Sequence, residues 1–308
     1  MKIGFWSDSH NFPNLPIMKL SAYHKSIGDK AELYDRTKHY DLVYVSKVFS
    51  FSPDIDSIYP VQADEIRKGG TGYCISVANG KEIYDKSKDR ILPKEIEHIY
   101  PDYSLYPNYD YAVGFLTRGC PRNCGFCVVS KKEGCLSRQV ADIDEFWRGQ
   151  QEIKLLDPNL LACADHEDIL RQLSCCKYSF VDFTQGLDIR LINRDNVYWL
   201  NRLKIKNIHF AWDNPKQDLT GYFKTFSELT NIKDIRRKTV YILTNFNSTI
   251  EEDLYRIYTL RDLGFSPYVM IYQKETCDKR HRELQRWVNC KIIFRCVNRF
   301  EDYQPNYK

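Results

Sequence analysis

Three cysteines in one short loop restrict this chain more than any other feature of its sequence. Cys120, Cys124 and Cys127 follow the pattern C-x3-C-x2-C and come directly after a strand-like run over residues 111–117. Thiolate is the usual protein ligand of iron–sulfur clusters, so three thiolates on one turn can hold three corners of a cuboidal cluster. A fourth cysteine close in sequence is missing, which leaves one iron open for a ligand from outside the protein.

A zinc site, or scattered reduced thiols, is the alternative explanation of the same cysteines. Zinc sites usually pair two C-x2-C units, or add histidines at short spacing, to complete a tetrahedron. Neither arrangement surrounds this loop in the sequence. The spacing therefore favours an iron–sulfur cluster with an open iron, a cofactor suited to one-electron chemistry on a bound sulfonium compound.

The loop resembles the signature of the radical S-adenosylmethionine (radical SAM) superfamily, with an aromatic residue, here Phe126, just before the third cysteine. The resemblance implies an enzyme with a 4Fe–4S cluster on the three cysteines and S-adenosylmethionine (SAM) on the open iron. One electron from a flavodoxin- or ferredoxin-like donor would cleave the sulfonium and give a deoxyadenosyl radical, which abstracts hydrogen from a substrate. Phe126 would lie against the adenine of SAM. The sequence identifies neither the substrate nor a catalytic residue that acts on it.

The chain around and after the loop alternates short strands with helices. The expected strands cover residues 111–117, 153–157, 180–184, 207–212, 239–243 and 268–272. The expected helices cover residues 144–150, 165–176, 196–203, 222–229, 249–263 and 275–288. Six strand–helix units with short connections predict a partial (β/α)6 parallel barrel, as in the radical SAM core. The resemblance extends over residues 108–290.

Polar side chains end several of these apolar strands. In parallel α/β architectures, ligands bind at the carboxyl ends of the strands. A carboxylate suits the ammonium group of SAM, a guanidinium suits its carboxylate, and an amide suits its ribose. This reasoning selects seven candidate SAM contacts, namely Asp157, Asn159, Gln185, Asp188, Arg190, Asp213 and Asn245.

The resemblance places two of these segments more closely. Residues 157–159 occupy the position of the superfamily's Gly-Gly-Glu motif, which grips the methionine amino group, although their sequence is different. Residues 185–190 correspond to the segment after the third strand of the superfamily's core. Asp188 and Arg190 would share one face of an extended chain. The alternative for these two residues is a structural ion pair that closes the barrel.

The sequence pattern of residues 1–107 predicts a separate α/β domain followed by a linker. Strand candidates at residues 2–7, 31–34, 42–45 and 63–67, with a helix at 14–27, indicate a small, doubly wound Rossmann-like sheet. A stretch rich in tyrosine and proline, residues 100–109, then predicts a connector. We place the boundary after Pro107, so that residues 108–308 hold the radical SAM core barrel and a C-terminal helix.

This first part resembles the cobalamin-binding-like domain that precedes the core in many radical SAM enzymes. Its cobalt-ligating pattern, D-x-H-x-x-G, begins here with Asp8 and His10 but has Pro13 in place of the glycine. Residues 46–48 stand where the later S-x-L is expected without its leucine, and the pair at 69–70 matches a Gly-Gly. These departures make cobalamin possible but not favoured. His10 is then a loop residue, or contacts substrate together with Asp8.

Composition limits the partners and the location. The charge is balanced, with 45 Lys and Arg against 41 Asp and Glu, so a nucleic-acid partner is not indicated. No apolar run approaches the length of a membrane span, and no signal peptide opens the sequence. Eleven cysteines, an odd number, fit a reducing cytoplasm. Whether Cys277, Cys290 and Cys296 hold an auxiliary cluster is open, because their spacing matches no ligand pattern.

Three other functions agree with parts of the sequence. A cobalamin-dependent radical SAM methyltransferase would share the cluster loop and add a corrin near residues 69–70. A tRNA methylthiotransferase is disfavoured, because that relative carries a second three-cysteine cluster in its N-terminal domain, where this chain has only Cys74. A non-catalytic iron–sulfur sensor or scaffold would hold a cluster and form no deoxyadenosine.

Overall fold

The computed structural model describes residues 1–9, 11–78 and 81–305, and the chain forms two compact units. Unit 1 contains Met1–Phe115, Gly119–Cys135 and Val140–Gln151. Unit 2 contains Leu116–Arg118, Leu136–Gln139 and Glu152–Lys308. The two units interleave along the chain near the cysteine loop. The predicted domain boundary after residue 107 stays a prediction.

Unit 1 is built from seven strands and five helices within the described residues. The strands are β1 (Lys2–Ser7), β2 (Lys30–Leu33), β3 (Tyr40–Ser46), β4 (Ala63–Gly69), β5 (Ile75–Ala78), β6 (Lys81–Tyr84) and β7 (Tyr111–Gly114). The helices are α1 (Leu15–Ser26), α2 (Ile55–Ile58), α3 (Thr71–Cys74), α4 (Lys94–Glu97) and α5 (Val129–Glu133).

The first four strands form a parallel sheet in the order β2-β1-β3-β4, and both of its faces are covered. Ile3 and Phe5 of β1 pack on Ile17 of α1 on one face. Trp6, the next residue, packs on Ile55 of α2 on the other face. This alternation follows from the two-residue period of a strand. The prediction that the first part of the chain is α/β with a parallel sheet is confirmed.

Unit 2 is built from seven strands and six helices within the described residues. The strands are β8 (Thr117–Arg118), β9 (Arg138–Gln139), β10 (Glu152–Leu155), β11 (Phe180–Phe183), β12 (Ile208–Ala211), β13 (Lys238–Thr244) and β14 (Ser266–Ile271). The helices are α6 (His166–Cys175), α7 (Arg194–Leu200), α8 (Thr220–Leu229), α9 (Ile250–Asp262), α10 (Lys279–Asn289) and α11 (Lys291–Cys296).

Strands β10 to β14 run parallel and follow one another in chain order. β10 pairs with β11, and β12 pairs with β13, which pairs with β14. Between them, Val181 of β11 exchanges backbone hydrogen bonds of 2.9 Å with residues 204 and 206, just before β12. One face of this sheet packs on helices, as Phe210 of β12 shows by its edge contacts with Phe223 and Phe226 of α8.

Two sequence predictions near the cysteine loop are wrong in detail. Residues 144–150 do not form a helix. The structure has a short 3₁₀ turn here, Ile143–Glu145. The chain after it is not helical, and Gly149 in it has the left-handed φ of 103°. The strand predicted for residues 111–117 is divided into β7 and β8. It has glycine at 114 because a Cβ there would collide with the ring of Phe146. No helix among the described residues is long and apolar enough to cross a membrane.

Candidate functional site

The cysteine loop, residues 119–127, is held in a sharply turned conformation within unit 1. Gly119 has φ 92° and Asn123 has φ 45°, so the backbone is left-handed on both sides of Cys120. Glycine and asparagine are the residues that adopt this conformation most readily. The Cys127 amide donates to the Cys124 carbonyl at 3.0 Å, which closes the turn between the last two cysteines.

The helix that follows the loop, with the glycine after it, holds the start and the middle of the loop in place. The Gly119 amide donates to Glu133 Oε2 at 3.2 Å, and the Cys120 amide donates to the Gly134 carbonyl at 3.1 Å. Ser130 Oγ donates to Asn123 Oδ1 at 3.0 Å. Helix α5 therefore fixes both the start and the middle of the loop, although it contributes no cysteine.

The three cysteines of this loop offer the donor atoms that an iron–sulfur cluster takes. All three thiols are partly exposed, and none is in a disulfide. Thiolate is the usual protein ligand of such clusters, in which each thiolate binds a different iron.

Asp157, a predicted SAM contact, is a buried structural anchor. Its Oδ1 accepts hydrogen bonds from the Thr117 amide at 2.5 Å and the Thr117 hydroxyl at 2.7 Å, and its Oδ2 accepts from the Leu116 amide at 3.3 Å. The side chain is 4% exposed, and burial raises its pKa from 3.8 to about 6. Asp157 thus holds the strand that leads directly into Gly119.

Three other predicted contacts are brought together in unit 2. Asp188 accepts from Arg190 Nε at 2.6 Å with Oδ1 and from Asn159 Nδ2 at 3.4 Å with Oδ2. Arg190 Nη1 also donates to Gln217 Oε1 at 3.3 Å. The ion pair weighed as the alternative for Asp188 and Arg190 is therefore present. It orients the guanidinium and leaves the prediction of SAM contacts untested.

The remaining predicted contacts lie at neighbouring strand ends. Burial raises the pKa of Asp213 to about 6, and the charges of Arg256 and Arg190 oppose this shift. The Asp213 carboxylate accepts from the Leu243 amide at 3.1 Å. Asn245 has φ 61° and donates from Nδ2 to the Tyr272 carbonyl at 2.8 Å. Gln185 is exposed, and Phe126 in unit 1 is partly exposed.

The residues of the cobalamin-type pattern have other roles at the edge of the four-stranded sheet. Both oxygens of Asp8 accept backbone amides, from Val48 at 2.7 Å and from Phe49 at 3.0 Å. Gly70 has φ 98°, and a Cβ there would collide with the Lys47 carbonyl. His10 lies outside the described residues. The structure thus explains Asp8 and Gly70 without a corrin.

A cavity of about 520 Å³ opens at the same edge of the sheet, at the carboxyl ends of β1 and β2. Five of its eleven lining residues are aromatic, namely Phe5, Trp6, Tyr34, Tyr106 and Tyr109. The tyrosines predicted to form a connector therefore pack in unit 1, where Leu105 joins the core of the sheet. Parallel sheets commonly bind ligands at this position.

Sequence reasoning missed three polar residues in the middle of strands. Asp182, His209 and Tyr241 lie on β11, β12 and β13, on the face of the sheet that does not pack on helices. His209 Nδ1 lies 3.2 Å from Tyr241 Oη, and His209 Nε2 lies 3.6 Å from Asp182 Oδ1. The signal that could have found them is the polar residue within each of these apolar strands.

The three C-terminal cysteines do not come together as a ligand set within the described residues. Cys277 is buried, and its thiol donates to the Lys274 carbonyl at 3.2 Å. Cys290 and Cys296 are exposed.

Solved structures share the fold of this chain, whereas no family model and no curated protein matches its sequence. One is a radical S-adenosylmethionine methyltransferase, TsrM, from Kitasatospora setae, with cobalamin and a 4Fe–4S cluster bound. It has a TM-score of 0.61 and 11% identity, over 88% of this chain and 72% of that chain. The same enzyme with tryptophan substrate and the SAM analogue aza-SAM has a TM-score of 0.61 and 10% identity over the same shares.

At such low identity the likeness concerns the fold alone. It agrees with the expected α/β class and covers both units of the chain. The expectation that cobalamin is not favoured receives no support from it, because the similar enzyme was solved with cobalamin bound.

Proposed function

We propose that this protein is a radical SAM enzyme. The observation that carries the proposal is the C-x3-C-x2-C loop, which occurs in a chain whose fold is similar to a radical SAM methyltransferase over 88% of its length. The sulfur donors are partly exposed, as a cluster that must meet a second ligand requires. Strands β10 to β14 then belong to a partial parallel barrel, the architecture expected of the core.

The cluster, the loop and SAM would be held by different residues of this chain. Cys120, Cys124 and Cys127 would hold a 4Fe–4S cluster, which when bound with SAM supplies the electron that opens the sulfonium. Asp157 fixes the strand before the loop. Arg190, held by Asp188 at 2.6 Å, would pair with the SAM carboxylate, since a guanidinium presents a fixed fork of donors to that group.

Methyl transfer is the second candidate, and the similarity to TsrM favours it over simple hydrogen abstraction. Asp8 of the D-x-H pattern accepts two backbone amides, and a Cβ at Gly70 would meet the Lys47 carbonyl. His10, the residue of the pattern that would ligate cobalt, lies outside the described residues, so this candidate is tested by cobalamin uptake. Purified protein that takes up no hydroxocobalamin under anaerobic conditions would exclude it.

The direct test is SAM turnover by anaerobically reconstituted protein with a chemical reductant and with reduced flavodoxin. We expect deoxyadenosine from a hydrogen-abstracting enzyme and S-adenosylhomocysteine from a methyl-transferring one. Cys124→Ala should abolish turnover, whereas Cys175→Ala, an exposed cysteine at the end of α6, should leave it unchanged. A protein that forms a cluster and yields neither product would be a sensor or scaffold instead.

A further inference from the structure

The sheet of unit 2 has one buried apolar face and one partly exposed face that carries polar residues. Val181, Phe210 and Val240 are fully buried and alternate with the partly exposed Asp182, His209 and Tyr241. Side chains alternate between the faces of a strand, so these three polar residues share the face opposite the helices. In a parallel barrel this face would line the interior, where a substrate has to reach the cofactor.

The three residues form a connected chain across adjacent strands. The rings of His209 and Tyr241 stack with centroids 5.5 Å apart and planes 5° from parallel. Tyr268 of β14 meets Tyr241 edge-on at 5.8 Å. Burial, with the charges of Asp182 and Tyr268, raises the pKa of Tyr241, which keeps its hydroxyl protonated at neutral pH. That hydroxyl can donate to His209 Nδ1, which turns Nε2–H toward Asp182.

Two oxygen atoms in and just after β11 are buried and lack a hydrogen-bond partner among the described residues. They are Oδ1 of Asp182 and Oγ1 of Thr184, two residues further along the chain at the end of β11. The distance of 3.6 Å from Asp182 to His209 is too long for a good hydrogen bond. A buried acceptor without a donor is costly, so its presence calls for an explanation.

We propose that this face binds the substrate, and that the substrate carries an aromatic ring with an ammonium or N–H group. The nitrogen donates to Asp182 Oδ1 and Thr184 Oγ1, and the ring lies against the His209–Tyr241 pair. The inference rests on the proposed function, because it takes the ligand of this face to be the substrate of the radical SAM reaction.

The charged residues near Asp182 determine which ligands an experiment has to compare. Lys154 of β10 is the register partner of Asp182, and Glu152 lies two residues before it on the same strand. Lys206 pairs with Glu152 at 2.7 Å. The face therefore presents a lysine as well as an aspartate, so an anionic aromatic is the competing ligand that an experiment has to exclude.

The test compares 2-phenylethylamine with 3-phenylpropionate, two ligands of similar size and opposite charge. Each is titrated into the full-length protein by ligand-observed NMR, with and without reconstituted cluster. We expect the amine to bind about tenfold more tightly or better. Asp182→Asn should weaken the amine by about tenfold, since a hydrogen bond to a charged group is worth more than one to a neutral group. Thr184→Val should have a smaller effect in the same direction.

Asp262→Asn removes an exposed carboxylate at the end of α9 and should leave both affinities unchanged. Equal binding of the two ligands, tighter binding of the carboxylate, no saturable binding of the amine, or an Asp182→Asn variant with unaltered affinity would each overturn the proposal. If any of these contrary results came from protein that forms a cluster and cleaves SAM, the substrate proposal would be wrong and the proposed radical SAM function would still hold. Selective amine binding by protein that forms no cluster would refute the proposed function alone.

Discussion

The burial and contacts of Asp157 predict how the free energy of unfolding of this protein depends on pH. Its pKa is raised from 3.8 to about 6, because burial penalises the charged form more than three hydrogen bonds favour it. The folded protein therefore holds the proton more tightly than the unfolded chain does. The contribution of Asp157 to the free energy of unfolding is greatest below pH 4 and falls as pH rises toward 6. A shift of two units corresponds to about 3 kcal/mol.

The measurement is the free energy of unfolding of wild type and Asp157→Asn, by urea titration followed through tryptophan fluorescence at pH 4 to 7. The variant does not titrate at this position, so its stability relative to wild type should rise by about 3 kcal/mol over this range. Asp262→Asn, the exposed control, should track wild type. A difference between wild type and Asp157→Asn that stays constant with pH would refute the description of Asp157 as a buried, desolvated carboxyl.

Three further substitutions, one of them with a matched control, test other parts of the structure. Gly70→Ala should lower the free energy of unfolding by about 3 kcal/mol, because φ is 98° and a Cβ meets backbone, whereas Gly28→Ala, at φ 89° with open space, should cost about 1 kcal/mol in the same urea titration. Asp253→Ala should cost about 3–5 kcal/mol by thermal or chemical denaturation, because it leaves Arg256 as an unpaired charge at 1% exposure. Arg190→Lys should raise the dissociation constant of SAM by about tenfold in equilibrium dialysis, since lysine lacks the bidentate fork.

Local patterns in the sequence were enough to predict most of the strands and helices. The helix predicted from residue 249 is α9, and a capping box of Thr249 and Glu252 begins it with hydrogen bonds of 3.3 and 2.9 Å. The apolar runs predicted β10 to β14 because a strand buried on one face has a clear period. The helix predicted for 144–150 failed because the chain leaves the helical conformation after one 3₁₀ turn, at Phe146 with φ −136°.

The site was harder to predict because its contacts join distant parts of the chain. Asp157 was selected as a ligand residue from its place at a strand end, but its partners are Leu116 and Thr117, about forty positions earlier. Asp182 and His209 were passed over because they lie within strands rather than at their ends. Only the pairing of neighbouring strands brings them to 3.6 Å. The cysteine loop was found because all of its ligands lie in one stretch of eight residues.

The central claim is that Cys120, Cys124 and Cys127 hold a cluster with an open iron. Its most direct test is electron paramagnetic resonance of anaerobically reconstituted, reduced protein, with iron analysis before and after SAM is added. We predict about four iron atoms per chain and a reduced-cluster signal that changes when SAM binds. The Cys124→Ala variant should lose this signal. Zinc in place of iron, or an iron signal that SAM leaves unaltered, would contradict the account.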